Sequence, residues 1–159
     1  MKQDRFLTGI LIGIAVLVVL ALALFFLRQD QQTYRPDDTP EGVVHNYMLA
    51  VYNRDYEKAY AYLADKAYKP TFEQFRDAFV LNYVSPNNVG VEVGAAEIYQ
   101  DTATVQVFTY YNPSDPFSSG SRSTDGASLV LQNGQWKIIQ MPYYFWYYDW
   151  YQEPVKPVP

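Results

Sequence analysis

The chain has 159 residues, one histidine and no cysteine, and its formal net charge is −5. Disulfides, thiolate metal sites and a cysteine nucleophile are therefore excluded. From Pro36 onward 8 Lys and Arg stand against 15 Asp and Glu, a balance of −7 that repels phosphate backbones and argues against nucleic acid as a partner.

After a short tip, 1–5, the stretch Phe6 to Leu27 runs for 22 residues without a charge. At about 1.5 Å of rise per residue a helix of that length crosses a hydrocarbon core roughly 30 Å thick, so 6–27 is expected to be a transmembrane helix. Lys2 and Arg5 precede it, and the positive-inside bias then places the N-terminus in the cytoplasm and the rest of the chain outside the cell membrane. A cleaved signal peptide would have an apolar region of about 7–15 residues before a small-x-small site in polar surroundings. Here Ala21-Leu22-Ala23 is followed by four more apolar residues, which favours an uncleaved anchor. Gly9 and Gly13 have the spacing that lets two membrane helices approach, leaving a homodimer open.

The polar, aperiodic segment 28–38 reads as a linker, and 39–151 is long enough to form one domain with its own core. Thr39-Pro40-Glu41 signals a helix start, with Thr as N-cap and Pro at the first helical position. Val43, Val44, Tyr47, Met48 and Val51 give this helix one apolar face. His45 falls on the opposite side of the wheel and is expected to face solvent rather than a pocket. Asp55 caps a second helix containing Tyr56, Ala59, Tyr60 and Leu63, and Thr71-x-x-Gln74 is a capping box for a third containing Phe72, Phe75, Phe79 and Tyr83.

From Val89 the apolar period changes from 3.6 to 2. A strand runs to Tyr99 with a bulge expected near Gly94, and a tight turn at Gln100-Asp101 leads to its partner. The Gly-, Pro- and Ser-rich stretch 112–126 reads as a long loop or a mobile hairpin tip. Asn133-Gly134 then joins two strands, since that dipeptide supplies the two positive φ angles of a type I′ turn. Beyond Pro142, eight of the nine residues from Tyr143 to Tyr151 are aromatic, and 152–159 is a Pro-rich tail expected to be extended.

Three short helices packed on a four-stranded antiparallel sheet make an α+β domain that resembles the nuclear transport factor 2-like superfamily, with a cystatin-like fold as the alternative. Two segments carry the resemblance: Asn53 to Tyr60, similar to that superfamily's first helix junction, and Leu131 to Ile138, similar to its closing hairpin. A membrane anchor ahead of such a domain is similar to the arrangement in many bacterial exported proteins. Enzymes that the resemblance brings in, the ketosteroid isomerases and polyketide cyclases, use Asp, His and Tyr in a cone-shaped pocket. No residue of this chain can be matched to those catalytic positions, so an enzyme of that type is kept as the alternative to a non-catalytic binding domain.

No phosphate-binding Gly-rich motif and no HExxH is present, and no cofactor is expected. One His and no Cys leave only oxygen ligands for a metal, and Asp115 and Asp125 lack calcium-loop spacing. If the aromatic run continues the last strand, alternation sends either Tyr143, Phe145 and Tyr147 or Tyr144, Trp146 and Tyr148 inward. An aromatic row is then left over. It would serve as a platform in which Trp146, Trp150, Asp149, Tyr144 and Tyr148 stack on a cell-wall glycan or on another envelope protein, or it would sit at the lipid headgroups.

Overall fold

A computed structural model describes residues 5–28, 33–87, 89–111 and 121–153. The chain divides into two compact units, Met1–Thr33 and Tyr34–Pro159. The first contains one helix, α1 (Arg5–Arg28). Side chains in it are described over 8–23, all exposed, and a Cβ added at Gly9 or Gly13 would meet nothing. Among the described residues no helix is long and apolar enough to cross a membrane.

In the second unit the helix starts fall where the capping residues place them. Thr39 accepts from the Gly42 amide at 3.1 Å and opens α2 (Pro40–Tyr52). Asp55 accepts from the Lys58 amide and opens α3 (Tyr56–Ala61). Thr71 and Gln74 form a reciprocal capping box at the start of α4 (Phe72–Val80). The burial of α2 differs from the single apolar face expected: Gly42 to Val44 and Asn46 to Val51 are all buried, so it is a central helix enclosed on several sides. His45 is half-buried rather than solvent-facing for the same reason.

Four strands, β1 (Val89–Tyr99), β2 (Thr102–Tyr111), β3 (Ser121–Gln132) and β4 (Gln135–Gln140), form an antiparallel meander in sequence order. The register of β1 slips between Val93 and Ala96, where Gly94 lies so close to Phe108 that a Cβ would come within 2.9 Å of the ring. Asn133 and Gly134 have φ of 51° and 76°, as a type I′ turn requires. One face of the sheet, with Ala103, Val105, Val107, Ala127, Leu129 and Ile138, joins Val43, Tyr47, Leu63 and Phe75 in a single core. The outer edge of β4 is closed by the 62–64 segment, through Ile138 N to Tyr62 O and Ala64 N to Ile138 O, both 2.8 Å.

Three expectations are corrected here. Residues 121–126, read as loop, belong to β3 and pair with β2 from Gln106↔Gly126 to Tyr111↔Ser121. All six are exposed, so they carry no apolar alternation to mark them as strand, and the β2 ladder holds them instead. The remainder of that loop expectation, 112–120, lies outside the described residues.

The segment Tyr34–Asp38, read as linker, is docked on the domain. Buried Asn46 accepts from the Arg35 amide and donates to the Arg35 carbonyl, both at 2.7 Å, and also donates to the Asp37 carboxylate. Gly42 allows this approach, because a Cβ there would lie 2.1 Å from the Pro36 carbonyl oxygen.

The aromatic run is not a continuation of β4. The chain leaves the sheet at Met141, makes a 3-10 turn over Tyr143–Phe145 and a further turn over 148–151. Neither alternating row describes its burial: Phe145, Trp146 and Trp150 are buried, Tyr144, Tyr147 and Tyr151 half-buried, and Tyr143 and Tyr148 exposed. The segment closes the core from below. Tyr47 donates to the Phe145 carbonyl at 2.8 Å inside it, and Tyr151 donates to Tyr68 O through its amide and to Ala64 O through its hydroxyl.

Candidate functional site

A cleft of about 480 Å³ lies between α4, the 68–70 segment and the turn that ends the aromatic run. The volume is within the roughly 300–1,000 Å³ of small-ligand sites. Three structural causes bring its walls together. Tyr68 adopts the left-handed conformation, φ 60°, and its carbonyl is bound by the Tyr151 amide, which fixes the two loops against each other. The Trp150 ring stacks on Phe75 of α4 at 4.9 Å, which holds the turn against that helix. Tyr83, just beyond α4, meets Tyr147 at 6.0 Å and forms the rim.

The lining is aromatic with a few charges. Tyr68, Tyr83, Tyr147 and Trp150 supply rings, Asp77 and Asp149 supply carboxylates, and Lys69 supplies an ammonium. That ammonium is engaged within the protein, donating to the Leu63 carbonyl at 3.4 Å and lying 4.7 Å over the Tyr60 ring. The Tyr147 hydroxyl is pushed up to about 12, first by its hydrogen bond with Tyr148 and then by burial and the neighbouring Asp149 charge. It stays neutral and able to donate at ordinary pH.

A second cleft of about 370 Å³ lies on the other side of the same segment, and Tyr143, Trp146, Tyr148 and Trp150 contribute to it. Trp150 lines both clefts and is the wall between them.

The residues nominated from sequence are thus divided. Asp149 belongs to one cleft, Trp146 and Tyr148 to the other, and Trp150 to both. Tyr144 is half-buried against the core and lines neither of these clefts. Trp146 and Trp150 are only 8% and 5% exposed, so they do not form an open stacking platform. Tyr148, at 73%, is the nominated aromatic that does lie open. Tyr68, Lys69, Asp77 and Tyr83 were not signalled by sequence, since nothing local announces that 68–83 will meet 147–152.

The space between the helices and the sheet is occupied by Tyr47, Phe75 and Phe145, all fully buried. A carboxylate does face a tyrosine hydroxyl at Asp37 and Tyr62, 3.2 Å apart. Burial first, and then Asp37, push the Tyr62 hydroxyl up to about 12. Asp37 is exposed, however, and the pair serves to hold the docked 34–38 segment. Among the described residues no group of three or more His, Asp or Glu could hold a metal ion.

The fold and site define an α+β domain, helices first and meander second, with an aromatic cleft at the end of α4. No protein-family model matches the sequence, and no curated protein matches it. Among solved structures it is similar to a SEC-C motif containing protein from Rhodopseudomonas palustris, at 13% identity and a TM-score of 0.46, over 65% of this chain and 77% of that one. It is also similar to an uncharacterized cystatin fold protein from Novosphingobium aromaticivorans, at 11% and 0.44, over 67% of this chain and all of that one. A third is a nuclear transport factor 2-like protein of unknown function from Pseudomonas putida, at 18% and 0.42, over 61% and 77%.

Proposed function

We propose that this protein is a single-pass membrane protein whose outward-facing domain, of the nuclear transport factor 2-like kind, binds a ligand or an envelope partner without catalysis. The anchor rests on the sequence alone, on the 22 uncharged residues of Phe6–Leu27. Partners on this reading are components of the cell surface.

The observation that carries the binding reading is the 480 Å³ cleft, where four rings converge with two carboxylates. What favours binding over catalysis is the interior: where an enzyme of this architecture would keep a pocket, this chain places Phe145 with its carbonyl held by Tyr47. Retention of purified cell-wall glycan by the immobilised full chain in detergent tests the reading. Wild type should retain it and a Tyr83→Ala/Asp149→Ala variant of unchanged unfolding midpoint should not; equal retention by both would remove the cleft assignment. Since the chain has no cysteine, a single Ser123→Cys thiol on exposed β3 reports topology. Reaction with a membrane-impermeant maleimide in intact cells is expected, and labelling only after lysis would overturn the outward placement.

A further inference from the structure

We propose that the cleft takes an ammonium group, primary or quaternary, carried by its ligand; this rests on the cleft being the binding site. Charge and ring chemistry together point there. Tyr68 and Tyr83 are 52% and 65% exposed at the mouth, and Tyr147 and Trp150 form the wall behind them. Faces of Tyr and Trp attract a cation through the ring quadrupole, most strongly where water is partly excluded.

Two carboxylates stand among these rings. Asp77 shares its charge with Arg76 at 2.9 Å, whereas Asp149 has no cation near it among the described ion pairs. The ammonium of Lys69, although it lines the cleft, is directed at Leu63 O and the Tyr60 ring and forms no ion pair with Asp149 among the described residues. An incoming anion would meet the Asp149 carboxylate, and a neutral sugar would engage that carboxylate only through hydrogen bonds from its hydroxyls. A cation satisfies both rings and carboxylate. The domain handles its own cations in this way elsewhere, with Lys58 Nζ 3.2 Å from the Tyr34 ring centroid and Arg122 4.4 Å over Phe108.

Such a group can come from a choline-type headgroup or from a lysine-type side chain of a peptide. The test is calorimetric titration of the full chain in polyoxyethylene detergent with four probes: choline, Nα-acetyl-lysine amide, the uncharged choline isostere 3,3-dimethylbutanol, and N-acetylglucosamine. At least one ammonium probe should saturate, and which one does identifies the source. The uncharged isostere should bind at least about tenfold more weakly, a difference of about 1.4 kcal/mol. Asp149→Asn should weaken the ammonium probe by a similar factor without moving the unfolding midpoint, and about 1 M salt should weaken it as well. Saturation by N-acetylglucosamine with both ammonium probes inert would overturn this proposal and leave the cleft as a binding site. No saturation by either ammonium probe would overturn this proposal, while the glycan-retention comparison decides separately whether the cleft is a binding site. Equal binding of choline and its isostere, or full binding by Asp149→Asn, would overturn the charge argument.

Discussion

Replacing Trp150 with Ala distinguishes a buried strut from a surface platform. The ring is 95% removed from solvent and touches Phe75 at 4.9 Å, Trp146 at 5.0 Å, Phe79 at 6.0 Å and Tyr147 at 6.3 Å between centroids. Truncating such a ring removes its transfer free energy and leaves a cavity, a loss of about 3–5 kcal/mol. That is a large part of the roughly 5–15 kcal/mol that stabilises a domain. For one of this size it corresponds to a fall in melting temperature of roughly 12–20 °C. The Tyr and Trp bands of the near-UV circular dichroism of the full chain in detergent read the second unit alone, because all 16 Tyr and 3 Trp lie from Tyr34 onward. Tyr148→Ala, at a 73% exposed position on the same turn, is the control and should stay within about 0.5 kcal/mol. A Trp150→Ala loss below about 1 kcal/mol would show that the ring is not packed as described, and the account of the aromatic segment as a core wall would fail.

Gly42→Ala should free the 34–38 segment, since its Cβ would lie 2.1 Å from a backbone oxygen that only movement of the chain can relieve; faster amide exchange at Arg35, which donates to Asn46, is the readout, and unchanged exchange would refute the docking. Thr71→Ala removes half of the α4 capping box and should cost about 1 kcal/mol in urea unfolding, with a neutral result refuting the cap. Burial holds the Tyr47 hydroxyl well above its usual range and pushes that of Tyr52 up to about 12. These groups keep their protons in the folded state after an unfolded tyrosine, near 10, has lost its own. Their contribution is therefore complete below pH of about 10 and lost as pH rises toward 12. Unfolding midpoints should fall steeply across that window, less so in Tyr47→Phe, and a flat profile would contradict the burial.

Local signals in the sequence were sufficient for the helix starts, the tight hairpin and the irregularity in β1. Thr39, Asp55 and Thr71 each act on amides within three residues, so the helix starts were legible, and Asn133-Gly134 fixed its hairpin through φ alone. Gly94 likewise marked the slip in β1. What was not legible depends on distant partners. The 121–126 strand exists because β2 offers a ladder, not because its own polar residues alternate. The aromatic run announced burial but no period, as Pro142 begins a turn and Phe145 and Trp150 then find partners in α2 and α4. The candidate cleft was half visible for the same reason: Asp149 and Trp150 stand in a conspicuous run, whereas Tyr68 and Tyr83 become its rim only through tertiary contact.

Hydrogen exchange of the full chain with and without saturating cell-wall glycan or Nα-acetyl-lysine amide tests the central claim most directly, because it shows where a ligand sits. Protection confined to 68–83 and 147–152 is the result expected if the cleft beside α4 is the site. Protection on the outer sheet face around Glu92, Tyr110 and Arg122, with none at 147–152, would contradict it.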